Sequence, residues 1–184
     1  MGTRTTWCGH VSALVACCTV ALLSLGIAVG AAPAGGSAGP HTSPCSAANT
    51  QVWLGFGAGG GYAGGVGLPL EFSNVGRRTC TLYGYPGVSA TRGATQVGPA
   101  AGREKQPHAA VTLSPGATAH AFLRIVDWGA VCSSAVTVNG LRVYPPGQRA
   151  AKSIDYSFKV CAHRGVLSAG PVRPGVGVPG YITP

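Results

Sequence analysis

Acidic side chains are scarce in this 184-residue chain: four Asp and Glu stand against 13 Lys and Arg, and charged residues of both signs make up 9% of the total. Bond cleavage by paired acids needs two carboxyl groups converging on one centre, and the whole pool is Glu71, Glu104, Asp127 and Asp155. Glu71 and Asp155 fall at outward positions of alternating segments, and Glu104 sits beside Lys105 in a loop, so all three are expected to be solvated charges. Other catalytic frames are missing too. No Gly-x-Ser-x-Gly elbow set on a strand-to-helix turn accompanies His108, His120 or His163, which leaves a Ser-His-Asp site without its usual support. No Cys-x-x-Cys, His-x-His or His-x-x-x-His spacing occurs, so zinc and other transition metals find no ligand set. No cofactor is expected. Basic residues do not cluster either, since only Arg77 and Arg78 are adjacent, and a nucleic-acid surface needs clustered Lys and Arg with interleaved aromatics. Such a dilute positive excess suits loose contact with anionic polymers such as wall phosphates or lipid head groups.

What the chain does have begins at its N-terminus. Arg4, an apolar run from Val11 to Val29 and the small-residue stretch Ala32-Pro33-Ala34 form the three regions of an export signal. A retained membrane anchor is the alternative, because the apolar run is just long enough to span a bilayer. Leu14-Val15-Ala16-Cys17 has the look of a lipoprotein processing site, but the apolar run continues past Cys17, where such a site should end it. The expected organisation is a signal helix over residues 1–34, a flexible tether over 35–44, one β-domain over 45–176 and a tail over 177–184. Of seven cysteines, Cys8, Cys17 and Cys18 lie in the signal. Cys45, Cys80, Cys132 and Cys161 remain, an even set in a compartment where disulfides persist. Chain order favours Cys45 with Cys80 and Cys132 with Cys161, yet all three connectivities stay open.

From Cys45 onward the apolar period is two, not 3.6. Val66, Leu68, Leu70 and Phe72 alternate with Gly67, Pro69, Glu71 and Ser73. Ala119, Ala121, Leu123 and Ile125 do the same, as do Ile154, Tyr156, Phe158 and Val160. Shorter strands are expected at 51–56, 80–83, 87–91, 110–113 and 141–144. Turns are expected at Asn74-Val75-Gly76, Ser114-Pro115-Gly116, Asn139-Gly140 and Pro145-Pro146-Gly147. Pro69 within a strand marks an edge or a bulge. The Gly-rich stretch from Gly55 to Gly67 is expected to be a loose connection. Seven or eight short strands without a helix predict an all-β fold, an antiparallel β-sandwich that is immunoglobulin-like in the broad sense and closed by two disulfides.

The succession Ser73-Asn74-Val75-Gly76, Cys80-Thr81-Leu82-Tyr83-Gly84-Tyr85-Pro86-Gly87-Val88, Leu113-Ser114-Pro115-Gly116, Leu141-Arg142-Val143-Tyr144-Pro145-Pro146 and Cys161 resembles the secreted bacterial family of domain of unknown function 4232 (DUF4232). The resemblance covers Cys45 to Pro174. It implies export or lipoprotein attachment in high-GC Gram-positive bacteria and a disulfide-bearing β-sandwich, and it implies no activity. The family brings no functional residues to carry over. The short tether departs from the long Ser/Thr/Pro-rich linkers of many members.

Gly55-Phe56-Gly57-Ala58-Gly59-Gly60 fits a dinucleotide fingerprint as a bare pattern. Its glycines would have to open a helix, and they lead instead into more glycine and an alternating strand. The aromatics Tyr62, Tyr83, Tyr85, Trp128 and Tyr144 are more suggestive, because Tyr and Trp on loops form contact surfaces at low entropic cost. Tyr85, before Pro86, is expected to be structural, while Tyr62 and Trp128 are the candidates for partner contact. The leading expectation is a secreted or envelope-associated, non-catalytic binding module for an anionic wall polymer or an envelope protein, reaching the membrane only through an uncleaved signal. An envelope hydrolase with an unrecognised Ser/His site and a purely structural spacer are the alternatives.

Overall fold

Leu68, Leu70 and Phe72 point to one face of a long strand and meet Leu123, Ala121 and Ala119 across the ladder to the next. That ladder, with alanines opposite Leu70 and Phe72, sets the centre of the fold. The structure, a computed structural model, describes residues 42–55 and 61–177. The signal segment, most of the tether, the bare glycine fingerprint beyond Gly55 and the tail from residue 178 lie outside the described residues.

The chain runs through β1 (Thr50–Leu54), β2 (Gly61–Tyr62), β3 (Gly65–Asn74), β4 (Cys80–Leu82), β5 (Gly87–Arg92), β6 (Thr95–Gln96), β7 (Gly102–Arg103), β8 (Val111–Leu113), β9 (Thr118–Val126), β10 (Val136–Tyr144), β11 (Lys152–Val160), β12 (Leu167–Ala169) and β13 (Arg173–Pro174). One sheet has the order β1-β3-β9-β12-β7, with β2 on β3 and β13 on β9. The second has the order β11-β10-β5-β6, and β4 and β8 make a small third pair. All pairs are antiparallel except β7 with β12. The only helical turns among the described residues are two three-residue 3-10 segments, Ala47–Asn49 and Trp128–Ala130. The protein is therefore an all-β sandwich, as the alternation predicts.

The core lies between the sheets. Leu70, Phe72 and Leu123 from the first meet Val88, Leu141 and Val143 from the second, with Leu82 and Leu113 of the small pair closing one end. Burying each large side chain stabilises the fold by about 1.5 to 3 kcal/mol. Cys45 is bonded to Cys80 and Cys132 to Cys161. Thr42 to Pro44, the end of the segment read as a tether, lie alongside β4: Thr81 N donates to Ser43 O at 3.0 Å, and Cys45 N donates to Thr81 O at 2.8 Å.

The turns at Ser114-Pro115-Gly116 and Pro145-Pro146-Gly147 form as predicted, with positive φ at Gly116 and Gly147. Four expectations are corrected. Asn139-Gly140 is no turn; it sits inside β10, where the register to β11 shifts between Val138 and Gly140. Asn139 there accepts from Gly93 N at 2.9 Å. Gly65 to Gly67 are no loose connection but the start of β3, and a Cβ at Gly67 would come within 2.4 Å of the Phe122 ring that lies over it. Glu71 is not solvated. β3 is an interior strand with both faces covered, and Glu71 has no exposed surface. Residues up to Gly177 pass over its outer face, and Gly177 N donates to Glu71 Oε1 at 2.8 Å. Glu104 is not a free charge either, being paired with Arg124 at 2.8 Å. Asp155 is exposed as expected.

Pro69 shows how a proline survives in an interior strand. A strand residue turns its N–H and C=O to the same side, and Pro69 O accepts from Gly55 N at 2.9 Å. Its missing donor thus falls on the β1 side, just past Leu70, where the pairing with Leu54 ends.

Candidate functional site

Tyr83 is the most exposed large apolar side chain among the described residues, with 63% of it open to solvent. It stands where β4 leaves its ladder. Gly84, with φ of 91°, lets the chain turn sharply between Tyr83 and Tyr85, a conformation that side chains other than glycine rarely adopt. Both rings close on His108, at centroid separations of 5.0 and 5.1 Å. The imidazole is held by the Nδ1 contact with Gln106 O at 3.1 Å. Tyr85 is fixed as firmly, because its hydroxyl donates to Gln106 O and accepts from Gln106 N, each at 3.2 Å. The Arg103 guanidinium lies 5.8 Å from the Tyr85 centroid.

Gln106 carries this cluster onward. Its Nε2 donates to Glu104 Oε2 at 3.1 Å, and its Oε1 accepts from Arg173 at 3.3 Å. Glu104 Oε1 accepts from Ser168 Oγ at 2.8 Å and pairs with Arg124 Nε at the same distance. Arg124 in turn lies 5.6 Å from the Tyr62 ring and 5.9 Å from Phe122, both of which are partly open to solvent. The result is a polar spine with exposed aromatic rings at each end, Tyr83 at one and Tyr62 with Phe122 at the other. Rings held by tilted and edge-on contacts and by hydrogen bonds present contact area with little loss of rotamer freedom on binding.

Of the two residues singled out for partner contact, Tyr62 joins this spine. Trp128 does not. It is half-buried against the core, under the Lys159 ammonium at 5.5 Å. Tyr85, expected to be structural, does anchor the turn and also forms part of the spine. Arg103, Gln106 and His108 were not legible as site residues, since no local pattern marks them. They reach the tyrosines through long-range pairing, of β4 with β8 and of β7 with β12, and through Ala101 N, which donates to Val88 O at 2.8 Å.

No acid, imidazole and hydroxyl are directly hydrogen-bonded in series among the described residues. Glu71 and His120 are register partners, but His120 Nδ1 is engaged with Gly175 O at 2.9 Å and Gly177 lies over both. Burial drives the Glu71 carboxyl above its ordinary value, and the Gly177 N–H and nearby His120 pull it partly back. No group of three His, Cys, Asp or Glu among the described residues could hold a metal ion.

Comparison with known proteins finds one family. The model of the family described as "Domain of unknown function (DUF4232)" matches residues 45–173. No curated protein and no solved structure matches the chain.

Proposed function

This chain belongs to the DUF4232 family, and from that premise we propose that it is a non-catalytic binding module, exported or held at the cell envelope, whose recognition face is the spine from Tyr83 to Tyr62. The observation that carries this reading is Tyr83, 63% exposed yet packed at a tilt against an imidazole that is itself hydrogen-bonded. A ring already held in place supplies contact area to a partner with little further loss of side-chain freedom. The flanking cations Arg103 and Arg173 suit an acidic or polyanionic partner, in keeping with a net charge of +9. A hydrolytic reading has less support, because Glu71 is sealed and Glu104 is already ion-paired with Arg124.

Retention of the purified protein on isolated cell envelopes tests the reading. The native chain should be retained at about 50 mM salt and released near 500 mM, where the screening length falls to a few ångströms. Tyr83→Ala combined with Tyr62→Ala should lower retention about tenfold while thermal stability holds. Absence of both salt-sensitive retention and a captured envelope protein would overturn the proposal. Full retention by the double variant would favour the spacer role instead.

A further inference from the structure

The five residues between β3 and β4 form one wall of an open groove of about 640 Å³, and the segment around Ser46 and Asn49 forms the other. Its lining includes Arg77, Arg78 and Thr79 and contains no acidic residue. Both arginines are exposed. Neither guanidinium has a hydrogen bond, an ion pair or a ring contact with any described residue, a condition shared among the described arginines with the isolated Arg149, whereas Arg92, Arg103, Arg124, Arg142, Arg164 and Arg173 are all engaged.

The loop that carries them is held rigidly. Asn74, 1% exposed, donates through Nδ2 to Arg78 O at 2.9 Å and to Leu113 O at 3.0 Å, and accepts from Gly76 N at 3.0 Å. Val75 N donates to Asn49 O at 2.9 Å across the groove, and the Cys45–Cys80 bond joins the two walls at their base. Two neighbouring guanidinium groups on a fixed loop, without a counter-ion, present planar forks that match phosphate oxygens in pairs.

We propose that this groove is a phosphate-binding site. It deepens the binding-module reading, and rests on it, by naming a ligand chemistry, while using residues apart from the spine. The three residues of β4 separate Arg78 and Thr79 from Tyr83, a span of about 13 to 17 Å at the strand rise, so one extended phosphate polymer can touch both.

The test follows the Arg Nε–H and backbone amide signals of the full chain during titration with inorganic phosphate, linear polyphosphate and polyglutamate. Saturable shifts confined to Arg77, Arg78 and the groove amides are expected with inorganic phosphate, and with polyphosphate they should extend along β4 toward Tyr83. Polyphosphate binding at least tenfold tighter than inorganic phosphate assigns a polymeric source, and equal affinity per phosphate assigns a free one. Arg77→Gln with Arg78→Gln should weaken phosphate at least tenfold. Arg164→Gln, by the Val126 end of β9 and away from the groove, removes a charge elsewhere and should change nothing. Shifts that persist in the double variant, or polyglutamate binding as tightly as polyphosphate, would overturn the site. Tyr83→Ala should leave phosphate binding intact, so envelope retention and groove occupancy fail separately.

Discussion

Glu71 is the residue whose environment departs furthest from what its chemistry prefers. It is fully enclosed, and its Oε2 has no hydrogen-bond partner. Its native pKa lies above the ordinary 4.5, so between those two values the folded chain holds a proton that the unfolded chain has lost. Stability therefore falls as pH rises through that window, and the loss is complete above the native value. Glu71→Gln keeps an acceptor for Gly177 N and removes the titration. Denaturant midpoints measured from pH 4 upward should slope downward for the native protein and lie flat across the same window for the variant. A strand's period of two identifies its faces but not whether a face is covered. The cover comes from Gly177, 106 positions away, and nothing near Glu71 in sequence announces it.

β3 decides the architecture at the scale of elements. It pairs with β1 and β2 on one side and β9 on the other, and its residues from Gly67 to Phe72 are buried on both faces. Leu70→Ala, at a position with no exposed surface between Leu54 of β1 and Ala121 of β9, should cost about 3 to 4 kcal/mol in urea unfolding. An unchanged midpoint would mean that the core collapses around the gap. The long strands β3, β9 and β11 were legible, because each carries at least four alternating apolar residues. β6, β7, β12 and β13 have two or three residues each, too few to set up a period. They are held by partners instead. The Asn139-Gly140 pair misled for a physical reason: the same residues that reverse a chain also accommodate a bulge, and only the strands on either side distinguish the two.

For the molecule as a whole, two covalent links enclose most of the sheet-forming chain. The Cys45–Cys80 bond closes a loop of 35 residues holding β1 to β3, and Cys132–Cys161 closes one of 29 holding β10 and β11. Replacing Cys45 and Cys80 together by Ala should lower stability by about 3 to 4 kcal/mol, mainly by freeing the unfolded chain; calorimetry on the oxidised native protein and the variant measures it. The candidate site is a product of this scale alone. Its aromatics stand out in the sequence, but Arg124 and Glu104 meet from β9 and the end of β7, and only the folded sheet joins them into a spine. The same two bonds also set how the molecule bears a pull. Tension between Thr42 and Gly177 crosses from Cys45 directly to Cys80 and from Cys132 directly to Cys161. The covalent path leaves out the strands within both loops, and stretching the oxidised domain cannot draw out their length.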